Sequence, residues 1–212
     1  SGIDLRAFDL NRHRQKLSGD ILTSEVESTP KESFPVQSLV GQASLEAYLQ
    51  ADAMTEVYDP VIQKKAREIV GKESDLWKRA LLILDFVNKE LQKTPTVSIP
   101  NAIEVLKTKK GDCNEHSVLF TALARAAGVP TRTVVGLVYS RGSTGAPGFY
   151  YHAWAEVYTG KDWIAVDPTW NQVPADATHL AFVEGGLDQQ VQVTSLMGKI
   201  KLSLVSSLPP SL

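Results

Sequence analysis

"KKGDCNEHSVLFTALARAAGVP", Lys109 to Pro130, holds the single cysteine of this 212-residue chain. Asp112 followed three residues later by Glu115 has the spacing of a capping box, with Asp in the place of Ser or Thr. Leu119, Ala122, Leu123 and Ala126 then recur at helical intervals, and Gly128 and Pro130 close the element. The stretch reads as a helix whose first turn carries Cys113. A cysteine used as core filler belongs on the apolar stripe, whereas this one sits where backbone N–H groups have no intrahelical partner. Those donors and the positive end of the helix dipole favour a thiolate. The expectation is an accessible thiol titrating below the free value of about 8.5. The same N–H groups could receive an oxyanion. A buried, inert cysteine is the competing reading.

Upstream of this stretch the pattern is helical. Asp59-Pro60 starts a helix that runs to about Val70 and stops at Gly71, because Asp accepts from free N–H groups and Pro at the first position loses no bond. A second helix begins near Ser74, with Leu76, Ala80, Leu84, Val87 and Leu91 as one buried stripe. Shorter helices are expected in "SLEAYLQ" from Ser44 and after Pro100. Downstream the pattern changes. "TRTVVGLVY", "FYYHAWAEVY", "WIAVDP", "THLAFVE" and "GKIKLSLV" read as strands, the first of them buried on both faces. Helices followed by strands indicate an α+β fold in which an antiparallel sheet packs on helices. Residues 1–43 are irregular in pattern, with weak strand character in "DILTSEVESTP", and read as an N-terminal extension, with the core spanning 44–212.

Composition narrows the function. A net charge of −2 leaves no electrostatic footprint for nucleic acid, and Lys107, Lys109 and Lys110 read as a solvated helix end. No apolar run approaches the roughly 18 residues of a membrane span. One cysteine excludes an intramolecular disulfide without fixing the compartment. The start at Ser1 without Met raises the expectation of processing or of excision from a longer protein. A removed leader would make the chain extracytoplasmic.

A nucleophile needs a base, and the base an orienter. His13 lies in a polar stretch and reads as surface. His116 neighbours Cys113 on the helix with nothing evident to orient it, and His179 precedes an apolar strand and reads as a supporting residue. His152 stands apart because of strand register. If Gly160-Lys161 closes a two-residue hairpin loop, Thr159 faces Asp162 and Trp154 faces Asp167. His152 then shares a face with Asp167 as a diagonal neighbour, roughly 7–8 Å away at the backbone. A one-residue change in the loop would put Asp167 on the opposite face. A surface histidine beside a strand-end carboxylate is the bland alternative. Cys113 and His116 form C-x-x-H, but a structural zinc site usually needs four ligands and no second Cys–His cluster follows. No metal and no cofactor are expected.

"GDCNEHS", "RAAGVPTR", "YHAW" and "WIAVDPTW", in this order, resemble the core of the transglutaminase-like superfamily, particularly its bacterial members, over about Tyr48 to Val183. The resemblance implies a papain-like core with Cys113 as nucleophile, His152 as base and Asp167 as orienting carboxylate. It implies thiol-dependent acyl transfer on peptide or carboxamide bonds of a peptide or protein substrate, through a thioester, with hydrolysis preferred. Cross-linking to amines, as in a true transglutaminase, and a non-catalytic peptide-binding module are the alternatives. The chain lacks the length for the extra β-domains of the calcium-dependent animal enzymes, and no acidic loop with calcium-ligand spacing appears.

Overall fold

Asp59 begins the helical layer as the sequence implies: its carboxylate accepts from the Val61 N–H at 2.7 Å, and Pro60 opens α2 (Pro60–Val70). The computed structural model of the chain describes residues 8–95, 101–142, 145–185, 191, 193–194 and 199–205. Ahead of α2 come the strands β1 (Gln15–Ser18) and β2 (Ile21–Ser24) and the one-turn α1 (Ala43–Glu46). After it come α3 (Leu76–Glu90), β3 (Gln92–Lys93), α4 (Ala102–Thr108), β4 (Lys110–Gly111) and α5 (Cys113–Ala126). The expected stripe of α3, Leu76, Ala80, Leu84, Val87 and Leu91, is buried throughout. It packs with Ile62 and Ala66 of α2 and Leu119, Ala122 and Leu123 of α5 in one core.

Four antiparallel strands complete the fold: β5 (Thr131–Arg141), β6 (Pro147–Tyr158), β7 (Trp163–Val166) and β8 (His179–Glu184), in the spatial order β7-β6-β5-β8. Alternation along β6 gives its faces different tasks. Ala155 and Val157 join the helical core, whereas Trp154 lies on the far side with Val134, Ala165, Ala175 and Ala181. α5 packs directly against β5 and β6, so the cysteine-bearing helix rests on the sheet. This is the α+β arrangement expected from the order of elements.

Two expectations change. Part of the stretch read as irregular, residues 1–43, forms the β1–β2 hairpin, with Ser18 paired to Ile21; residues 1–7 lie outside the described residues. β2 falls in "DILTSEVESTP", where weak strand character is expected; no strand is expected at its partner β1, which docking holds in place. Gln15 exchanges two hydrogen bonds with the main chain of Ala181, at 2.7 and 2.9 Å, and the Arg14 guanidinium donates to the Asp176 carbonyl at 2.5 Å. The strand expected at 198–205 does not form over residues 199–205, and residue 198 lies outside the described residues. A strand needs an edge to pair with, and Gln15 already occupies the outer edge of β8 at Ala181.

Candidate active site

The site is built from the start of α5. The Asp112 carboxylate accepts from the Asn114 N–H at 3.0 Å, and Glu115 folds back to accept from the Asp112 N–H at 2.9 Å. This is the capping box, and it requires Gly111: a Cβ there would lie 2.1 Å from the Glu115 Cβ. Cys113 follows in the first helical position. Its sulfur is partly buried and packs against residues that include Leu137, Tyr151 and Ala153. The Ala153 N–H donates to it. That N–H lies beyond the end of the β6–β7 ladder, which reaches only to Ala155, so α5 delivers the sulfur to a stretch of β6 one residue along the chain from His152.

The thiol is not shifted as the sequence suggested. Burial, and then the negative charge of Asp112, push it up to about 12, against the help of the Ala153 N–H. The sequence argument counted the first-turn donors as free. In the folded chain the cap itself takes donors and adds carboxylate charge next to the sulfur. Cys113 therefore rests as a neutral thiol.

The hairpin register is the expected one. Thr159 N–H donates to the Asp162 carbonyl at 3.0 Å, Gly160 takes a φ of +100°, and Ala155 pairs with Val166. Asp167 follows directly after β7, on the face of His152, and His152 Nε2 lies 2.8 Å from Asp167 Oδ2. Both are buried. Among the described residues Nδ1 of His152 has no hydrogen-bond partner, so it is the ring nitrogen not committed to Asp167. Trp170 stacks on the imidazole, with ring centroids 4.5 Å apart and planes 19° apart.

Asp167 is held from three sides. Its Oδ1 accepts from the N–H groups of Thr169 at 2.7 Å and Trp170 at 3.1 Å, and its Oδ2 faces both His152 Nε2 and His179 Nε2, the latter at 3.2 Å. Burial alone would raise its pKa; the bonds to the two imidazoles outweigh burial and hold the carboxyl well below the usual carboxylate range. The polar atoms of His152, Asp167 and His179 lie within 4.8 Å of one another, close enough to surround a cation. Imidazoles that donate from Nε2 to Asp167 Oδ2, at 2.8 Å from His152 and 3.2 Å from His179, would satisfy the same atoms without an ion.

The remaining histidines sort by geometry. His116 is fully buried, and its Nδ1 lies 2.6 Å from the Asp112 carbonyl, which ties the ring to its own helix. His13 is exposed and 3.9 Å from Asp162 at the hairpin tip. His179 joins the Asp167 cluster, a closeness that sequence reasoning missed. Detecting it required knowing that β8 pairs with β5 and thereby returns the end of "DATH" to the far side of His152.

The family model of the transglutaminase-like superfamily matches residues 63–168, which spans α2 through the cluster at Asp167. The chain belongs to the transglutaminase-like superfamily. Among curated relatives, kyphoscoliosis peptidase of Mus musculus is 38% identical over 84 residues, covering 37% of this chain and 12% of that protein. A protein of unassigned function from Haemophilus influenzae is 28% identical over 156 residues, covering 63% of this chain and 42% of its own length. The chain thus spans less than half the length of either relative. Among solved structures, a candidate cysteine protease from Cytophaga hutchinsonii superposes with a TM-score of 0.62 at 22% identity, over 80% of this chain and 54% of that one. That likeness establishes the shared fold.

Proposed function

We propose that this transglutaminase-like domain is a thiol-dependent acyl-transfer enzyme that hydrolyses peptide or carboxamide bonds. Cys113 is the nucleophile, His152 the general base and acid, and Asp167 the orienting carboxylate. Residues 44–212 are the catalytic core and 1–43 an extension of it, of which Arg14 and Gln15 hold to the core. The observation that carries the reading is the 2.8 Å contact between His152 Nε2 and Asp167 Oδ2, with the N–H of the next residue, Ala153, donating to the Cys113 sulfur. Asp167 fixes the tautomer, so the proton sits on Nε2 and the lone pair on Nδ1.

The chemistry follows from a neutral thiol. As the sulfur attacks the carbonyl carbon, an S–C bond forms and the thiol proton passes to Nδ1. The oxyanion meets the Cys113 N–H, which an N-terminal helical position leaves without an intrahelical partner. Collapse breaks the C–N bond, the leaving amine takes the proton from Nδ1, and a thioester remains. Water, deprotonated by Nδ1, then attacks the thioester and releases a carboxylic acid and the thiol. Hydrolysis is favoured over transfer to an amine because an amine must be held in a dedicated site to compete with water at about 55 M. Trp170, which stacks on His152, is itself 39% exposed, so the rim beside the base is open to solvent.

The experiment is incubation with a peptide library and an excess of a labelled primary amine, read by mass spectrometry, beside Cys113→Ala and His152→Ala. The reading requires cleavage that both variants lose by about 10³-fold or more. Cys113-dependent label incorporation with little cleavage would make the protein a cross-linking transglutaminase. Reversible peptide binding without any mass change would make it a binding module.

A further inference from the structure

His179 is more than packing. Its ring is fully buried, and both nitrogens face carboxylate oxygens: Nε2 lies 3.2 Å from Asp167 Oδ2 and Nδ1 lies 3.2 Å from Asp176 Oδ1. A neutral imidazole has one N–H, so it can satisfy only one of these contacts and would turn a lone pair on the other. Only the doubly protonated ring donates to both. We propose that His179 is a positioning residue of this site, an imidazolium wedged between Asp167 and Asp176 that fixes Asp167 from behind and offsets part of its charge.

The rest of the fold is shaped around this wedge. Gly136, opposite His152 on β5, sits at the irregularity in the β5–β8 ladder; a Cβ there would lie 1.9 Å from the Leu180 carbonyl and 3.0 Å from the Trp154 ring. Only glycine lets β8 close in far enough to bring His179 to Asp167. The edges of Trp154 and Trp170 close the flanks, with centroids 5.2 and 5.7 Å from the His179 ring. The charged and titratable groups facing it are Asp167 and Asp176 from the β7–β8 connection and His152 from β6. Behind Asp176 stands Arg14, itself paired with Glu27 at 3.2 Å. Asp176 is further fixed by the Gln172 amide at 3.0 Å and by Thr178. Burial draws the His179 pKa down, but the two carboxylates outweigh it and the balance lies above the ordinary histidine value.

The role follows from the neutral thiol and rests on the catalytic reading given above. A neutral thiol needs a neutral imidazole to take its proton. A cation behind Asp167 offsets part of the carboxylate charge while the hydrogen bond to His152, and so the ring orientation, is kept.

The test uses the whole chain and needs no substrate. With ¹⁵N-labelled histidine, both His179 ring nitrogens should show the protonated signature at pH 7.5, where an ordinary histidine is neutral; one unprotonated nitrogen there would sink the proposal. Alkylation of Cys113 by iodoacetamide is then followed against pH. Removing a buried cation raises the pKa of every group around it, so the midpoint for His179→Gln should move up by roughly half a unit or more. Asp176→Asn, which leaves His179 without one of the carboxylates holding its proton, should return one ring nitrogen to the unprotonated signature at pH 7.5, and Asp176→Glu should restore it. Asp176 is partly exposed, so it carries the test if His179→Gln fails to fold. Unchanged midpoints in folded variants would leave His179 a packing residue. The protonated ring together with shifted midpoints, but without turnover of any peptide, would refute the hydrolase and leave the positioning role standing. Turnover with a neutral ring would do the reverse.

Discussion

The two faces of β6 are made by the same twelve residues and obey different rules. Toward the helices stand Ala153, Ala155 and Val157, small and apolar, against the α2–α5 core and the packing around Cys113. Away from them stand His152, Trp154 and Glu156, all buried. Glu156 is paired with Arg132 at 2.6 Å and His152 with Asp167 at 2.8 Å. The helical face holds together by excluded water and close packing, which are insensitive to pH. The far face keeps charges out of water, which is tolerable only while every partner is present. One face supplies cohesion. The other supplies groups whose protonation is set by their neighbours, which is what acid–base chemistry requires.

Breaking the far face should cost most. Asp167→Ala leaves His179 charged and buried with one partner lost. The expected loss is about 3–5 kcal/mol of stability in urea denaturation, with turnover down about 10³-fold or more. A fully stable Asp167→Ala protein would show that the cluster is not held by charge. Leu123→Ala on the helical side should cost about 2–5 kcal/mol through cavity formation. Its melting temperature should fall by the same amount across pH 4–8, and a pH-dependent loss would contradict the division of labour between the faces. The smallest effect is the pH dependence of the wild type. Asp167 and Asp176 have depressed pKa values, so their stabilisation is complete above the unfolded value of about 3.9 and is lost as pH falls. His179 is raised, so its share is complete below the unfolded value of about 6.5 and is lost as pH rises through its folded value. The melting temperature should be highest between these limits, and Asp176→Asn should flatten the alkaline side. An unchanged alkaline side in that variant would remove Asp176 from the account.

The helical half was legible because its signals are local. Asp59-Pro60, Gly71, the stripe from Leu76 to Leu91 and the Asp112–Glu115 box each fix an element within a few residues of themselves, and each stands where the pattern put it. The His152–Asp167 neighbourhood was legible for a related reason: a two-residue loop propagates register along both strands. What was not legible depends on distant partners. The charge state of Cys113 turned on how its own cap spends the free donors, and on burial that periodicity cannot measure. The approach of His179 turned on β8 crossing to β5. The hairpin at Gln15–Ser24 is a strand pair because the core has edges to cover, a property of the finished sheet rather than of the segment.

Gln15 also bears on how copies of this molecule coexist. Its primary amide presents one donor and one acceptor in the arrangement of a peptide group, and Ala181 engages both. The side chain acts as a strand one residue long, laid along the last strand of the sheet. An open edge is a template on which a second molecule can add its own strand and begin an unending stack. Here one amide, anchored within the same chain, ends the sheet at Ala181 before another molecule can extend it.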